Sequence, residues 1–256
     1  MRALTVPGRG ELQVYRDPQA LARALAEFFV RTAATAAADR GAFRVALSGG
    51  STPRAAYELL AKPPLRDELS WSDVFVYFGD ERCVPPEDER SNHRLAKESM
   101  FDALGEVGLP AIHRMKGELG PFAAAEDYER VLREAGSPRF DLVLLGIGPD
   151  GHCASLFPDQ PSLDERSRAV VGVAEAGLEP YVPRVSMTLP RLANARQIVF
   201  LVTGESKADA IAAVFGAHAT PDPHMPSSLL VPLAKEIKVL LDPAAASRLG
   251  SRAGQA

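Results

Sequence analysis

An excess of positive charge is missing from this sequence: 29 Lys and Arg stand against 33 Asp and Glu, a formal net charge of −4. No global field draws in nucleic acid or an anionic membrane surface, so neither is an expected partner, and any anionic ligand must be captured by a local arrangement of donors. Long hydrophobic runs are missing too. No segment approaches the roughly 18 apolar residues of a membrane span, and the opening stretch to Asp17 lacks the apolar core of a secretion signal, so a cytoplasmic location is expected. The only cysteines, Cys83 and Cys153, are far apart and follow no ligand spacing, which argues for free thiols and against a disulfide framework or a zinc ribbon.

Two catalytic signatures are also lacking. The glycine-rich stretch Ser48 to Pro53 has no Gly-Lys-Ser/Thr ending, so nucleotide binding by a Walker loop is not indicated. No G-x-S-x-G elbow occurs, which disfavours a serine hydrolase of the α/β type and leaves water as the simpler nucleophile.

What is present is an alternation of short apolar runs with helical patterns. Leu21, Leu25, Phe28 and Phe29 recur at helical spacing behind Asp17-Pro18, predicting a helix over 18–39. Phe43 to Leu47 and Val74 to Phe78 read as buried strands, with a helix from Pro53 to Ala61 between them. Helices follow near 92–104, 122–135 and 205–215, and strands at 140–145, 169–173, 184–189, 197–203 and 237–241. With no long Pro/Gly/Ser linker, the pattern predicts one doubly wound α/β domain, its central sheet mostly parallel and flanked by helices, with a fraying tail over 247–256. A hydrophobic content of 46% is ample for its core.

Ligands of such sheets bind beyond the carboxyl ends of the strands, and three loops there are unusual. Ser48, Gly49, Gly50, Ser51 and Thr52 run from a strand into a helix and offer backbone N–H groups, hydroxyls and a helix N-terminus, which suits a phosphate. An ordinary glycine turn with Ser51 or Thr52 as N-cap has the same spacing. Asp80, Glu81 and Arg82 follow a strand and can orient a polar substrate or form a solvated ion cluster. The third loop, Gly146 to His152, brings Asp150 and His152 to one glycine-rich turn, where the imidazole suits a general base. It spells G-x-G-x-x-G, but Phe157-Pro158-Asp159-Gln160-Pro161 breaks the chain too soon for the helix that a dinucleotide fold requires. Arg184 and Lys207, each at a strand boundary, are candidate phosphate cations or plain surface charges. His218 and His224 flank Pro221-Asp222-Pro223, which reads as a turn rather than a metal site.

In this order, Ser48-Gly-Gly-Ser-Thr-Pro53, Phe78-Gly-Asp-Glu-Arg82 with Ser91-Asn92, Gly146-Ile-Gly-Pro-Asp-Gly-His152 running to Pro158, Arg184-Val-Ser-Met-Thr-Leu-Pro190 and Thr203-Gly-Glu-Ser-Lys207 resemble the 6-phosphogluconolactonases, within a superfamily shared with glucosamine-6-phosphate deaminases. Cys153-Ala-Ser-Leu-Phe-Pro158 and Asp80-Glu-Arg82 are similar to the lactonase forms, with Cys153 in place of the usual Thr. The resemblance implies hydrolysis of 6-phosphoglucono-1,5-lactone to 6-phosphogluconate without cofactor or metal; separately, a monomer or small homo-oligomer is expected. His152 would be the base, Asp150 or Asp80 its orienting acid, Arg82 a partner of the lactone or its oxyanion, and Ser48 to Thr52 with Arg184 and Lys207 the phosphate site. An amino-sugar phosphate isomerase or deaminase using Asp80 as base, and a non-catalytic sugar-phosphate sensor, are the competing readings.

Overall fold

The computed structural model describes residues 2–6, 10–105 and 107–249. The chain opens with an antiparallel pair, β1 (Arg2–Val6) and β2 (Gly10–Val14), which the sequence pattern did not predict. Helix α1 (Pro18–Arg40) follows, capped at its start by the Asp17 carboxylate, which accepts from the Ala20 N–H at 2.7 Å. Leu21, Leu25 and Phe29 bury its apolar stripe. Strand β3 (Phe43–Leu47), helix α2 (Ser51–Leu60) and strand β4 (Val74–Phe78) form the first crossover unit. Then come β5 (Asp80–Arg82), α3 (Asn92–Ser99), β6 (Ala111–Ile112), α4 (Pro121–Glu134) and β7 (Leu142–Leu145). The remainder is β8 (Val170–Val173), β9 (Arg184–Met187), α5 (Leu189–Ala193), β10 (Gln197–Val202), α6 (Ala208–Phe215), α7 (Pro226–Leu230) and β11 (Ile237–Leu241).

The large sheet has the order β1-β2-β11-β10-β7-β3-β4-β6, and all its strands but β1 run parallel. From β3 the chain winds outward to β4 and β6, then returns to the other side of β3 as β7 and continues to β10 and β11. The direction of winding therefore reverses between β3 and β7, and the loops leaving these two strands diverge to open a crevice.

Two expectations need correction. The segments 170–173 and 184–187 do not join the large sheet; β8, β9 and β5 form a separate antiparallel sheet of three strands, in the order β5-β9-β8. An apolar run specifies that a strand is buried, as all of β9 is, but not its partner or its direction. Helix α2 begins at Ser51 rather than Pro53, with Gly50 at the cap position. At the carboxyl end Leu249 lies against the hydrophobic core, and the expected fraying of the last residues falls from Gly250 onward outside the described residues. Among the described residues no helix is long and apolar enough to cross a membrane.

Candidate active site

A cleft of about 320 Å³ opens at the crevice between β3 and β7. Ser48, Gly49, Gly50, Ser51, Thr52, Asp80, Arg82, His152, Arg184 and Lys207 all line it. Asp150 stands directly behind His152, so the structure brings all these residues to one place, while Glu81, read together with Asp80 and Arg82, stays outside it.

The loop after β3 is held from below. Tyr57, fully buried, donates its hydroxyl hydrogen to the Ser48 carbonyl at 2.9 Å, and the Ser48 N–H donates to the Tyr57 hydroxyl oxygen at 3.2 Å. Ser48 is thereby fixed through its backbone. Neither Ser51 nor Thr52 acts as an N-cap, and α2 begins without a side-chain cap. The first turn thus keeps its backbone N–H donors for an anion. Thr52 instead pairs its hydroxyl with that of Thr203 at 2.9 Å, tying this loop to the end of β10 and so to the segment bearing Lys207.

The second loop divides its labour. Glu81 is 3% exposed and accepts from the N–H groups of Arg82, Asn92 and His93 at 2.7, 2.7 and 2.8 Å and from the Ser91 hydroxyl at 3.0 Å. It secures the start of α3 and does not line the cleft; burial pushes its pKa up in spite of those donors. Asp80 faces the cleft but is tightly bound, accepting from the Ser155 hydroxyl at 2.6 Å and from the Asn92 amide at 3.2 Å. Arg82 donates through Nη1 to the Arg90 carbonyl, while its Nε is buried without a partner.

The third loop holds an acid and an imidazole in contact. Gly151 turns the chain at φ 76°, a left-handed conformation, and its carbonyl accepts from Ser227 at 2.8 Å. The turn folds Asp150 back onto His152: Oδ1 lies 2.6 Å from Nδ1 and 3.3 Å from the His152 N–H. Burial favours the neutral Asp150 carboxyl, but the hydrogen bonds and charge of His152 outweigh it and hold the pKa below the ordinary carboxylate value. Asp150, not Asp80, orients the imidazole. The carboxylate fixes the proton on Nδ1, which leaves Nε2 as the basic nitrogen. The approach is possible because Gly148 has no side chain: a Cβ there would lie 2.0 Å from His152 Nδ1 and 2.3 Å from Asp150 Oδ1. Phe157 backs the imidazole, its ring centroid 4.7 Å away. Downstream of Gly151 the chain forms turns and a short bridge between Cys153 and Leu156, not the helix of a dinucleotide fold.

Three cations complete the cleft. Arg184 is 4% exposed and donates to the carbonyls of Pro180 and Val182 at 2.6 and 3.0 Å, so part of its guanidinium braces the loop before β9. Burial, and then the positive charge of Arg82, hold its pKa below the usual arginine value, with Asp80 opposing. Burial likewise lowers the pKa of Lys207, against the pull of Asp150. No other described residue holds the Lys207 ammonium by a hydrogen bond or ion pair.

Sequence reasoning did not assign roles to Asn92, Ser155 or Tyr57. Asn92 is 2% exposed, donates from Nδ2 to the Asp80 carbonyl at 3.0 Å, and lines the cleft with a buried Oδ1 that has no partner. Its place at the start of α3, behind the N-cap Ser91, was the available signal. Ser155 reaches Asp80 across 75 positions of sequence, a pairing for which no local pattern exists.

The pattern of the glucosamine-6-phosphate isomerases/6-phosphogluconolactonase family matches residues 16–239. The 6-phosphogluconolactonase of Streptomyces coelicolor is 36% identical over 214 residues, covering 79% of this chain and 81% of that one. The 6-phosphogluconolactonase of a Synechocystis species is 39% identical over 223 residues, covering 84% and 88%. Among solved structures, the 6-phosphogluconolactonase from Trypanosoma brucei superposes with a TM-score of 0.81 at 25% identity, covering 93% of this chain and 98% of that one. A sequence pattern matched over most of the length, together with relatives this similar, means that the chain belongs to the glucosamine-6-phosphate isomerases/6-phosphogluconolactonase family.

Proposed function

We propose that this protein hydrolyses 6-phospho-D-glucono-1,5-lactone to 6-phospho-D-gluconate, the lactone-opening step of the oxidative pentose phosphate pathway, with His152 as general base. The observation that carries the reading is the Asp150–His152 pair at 2.6 Å, set in the wall of a cleft that also holds a phosphate-type loop and three cations. Water attacks the lactone carbonyl carbon and gives its proton to His152 Nε2. The tetrahedral oxyanion collapses, the bond to the ring oxygen breaks, and His152 returns the proton to that oxygen as it becomes a hydroxyl. The new carboxylic acid then ionises, releasing one proton per turnover. Arg82 is assigned to the oxyanion or the lactone oxygens, where a planar guanidinium gives two directed donors. Every step uses this chain's own groups and water.

The deaminase reading requires a free Asp80 carboxylate, whereas both its oxygens already accept hydrogen bonds. A sensor would have no use for an oriented base. Incubating the purified protein with the lactone and, separately, with glucosamine-6-phosphate decides between them. Lactone loss above the spontaneous rate without ammonia release is expected, and the reverse would overturn the proposal. Cytoplasmic action, as one folded unit in a monomer or small homo-oligomer, is part of the same reading; the unpaired thiols of Cys83 and Cys153 suit a reducing compartment.

The phosphate is assigned to the first turn of α2, Lys207 and the free edge of Arg184. Lys207→Ala is expected to raise KM about 10- to 100-fold, the worth of a charge-assisted hydrogen bond, while kcat changes little. Steady-state kinetics check this; a fall in kcat at unchanged KM would move Lys207 from phosphate anchoring to the chemical step.

A further inference from the structure

The geometry points to Glu179 as a residue that discriminates substrate from product by repelling the carboxylate that hydrolysis creates, an inference that rests on the lactonase reading above. The product carries one more negative charge than the lactone. A cleft lined by Arg82, Arg184 and Lys207 therefore holds the product more firmly than the substrate unless something opposes it. Of the carboxylates at the site, Asp80 is taken up by Ser155 and Asn92, and Asp150 by His152. Glu179 lines the cleft, is exposed at its mouth, and has no hydrogen bond or ion pair with any described residue.

Its loop is tied to the phosphate cation Arg184 on one side and, through Phe157, to the catalytic base on the other. Arg184 grips the Pro180 carbonyl at 2.6 Å, next to Glu179 in the chain. Two residues earlier, Gly177 packs so closely on Phe157 that an added Cβ would lie 3.1 Å from the ring, and this ring backs His152. The loop backbone is thus anchored, and the Glu179 charge stands at the rim of the cleft, on the side of the wall that backs His152. It acts weakly on the uncharged carbonyl and repels the ionised product, which assists release.

The test compares KM for the lactone with the inhibition constant Ki of added 6-phosphogluconate, in the parent, Glu179→Gln and Glu179→Lys. For charges several ångströms apart in a water-like dielectric, the ratio Ki/KM is expected to fall about threefold in Glu179→Gln and roughly tenfold in Glu179→Lys. Both effects should shrink between about 0.01 M and 1 M salt, as the screening length drops from roughly 30 to 3 Å. A ratio that stays constant or rises in both variants, with a parent that hydrolyses the lactone, overturns the role of Glu179. A parent that turns over no lactone overturns the lactonase reading itself, and this inference with it.

Discussion

His152→Gln is expected to lower the background-corrected kcat by about 10²- to 10⁴-fold, the usual worth of a positioned general acid–base, with KM changed far less. Gln keeps a polar side chain of similar reach and can still accept from a water, but it cannot take up the proton as the carbonyl is attacked. The phosphate contacts proposed above lie on α2, at the start of β9 and beyond β10, on elements that the substitution does not touch, so binding should survive. Because the lactone also opens unaided, the measurement must subtract the spontaneous rate in the same buffer. A corrected kcat within about threefold of the parent would remove His152 from the base role and make Asp80 the leading alternative.

Gly148→Ala is expected to cost nearly as much, through a single methyl group that touches no substrate. The added Cβ would sit 2.0 Å from His152 Nδ1, 2.3 Å from Asp150 Oδ1 and 2.4 Å from His152 Cε1. These contacts are too short to survive, so the imidazole and the carboxylate must move apart or move together. Either displacement takes the base out of line with the water, and a misplacement of about 1 Å costs on the order of 10² in rate. The mutation lies in a loop above the sheet and removes no buried apolar surface. Thermal unfolding should accordingly stay within a few degrees of the parent while kcat falls by about 10² or more. Unchanged kcat in a normally folded variant would show that catalysis does not depend on the Asp150–His152 contact.

The parts of this site that the sequence disclosed are local. The ends of β3 and β7 followed from the apolar runs Phe43 to Leu47 and Phe140 to Leu145, and with them the two loops that open at the reversal of winding. Asp150 and His152 were visible as neighbours in one glycine turn. That Asp150 rather than Asp80 holds the ring depends on the left-handed bend at Gly151, and spacing alone does not fix a backbone angle. The missed features are the non-local ones. The pairing of Asp80 with Ser155, the grip of Arg184 on the Pro180 carbonyl and the antiparallel pairing of β5 with β9 join segments whose sequences carry no mark of each other. The N-terminal strands escaped notice because they are short and flank Pro7-Gly8, and the alternation Glu11-Leu12-Gln13-Val14 spans only four residues. Glu81 was read with Asp80 and Arg82 as orienting a polar substrate or forming a solvated ion cluster, since nothing in Asp-Glu-Arg tells a helix anchor from a substrate-facing acid.

Cys153 adjoins the proposed base in the chain, yet it is 0% exposed, and burial pushes its thiol up to about 12. Cys83, half-buried, is raised to about 11 by burial and the nearby Glu81 charge. Only thiolates react at useful rates with peroxides and electrophiles, and at physiological pH neither sulfur supplies an appreciable fraction of one. The turn that bears Asp150 and His152 therefore offers no reactive thiol to oxidants. Under oxidative stress, turnover should persist where enzymes that rely on a thiolate nucleophile are silenced.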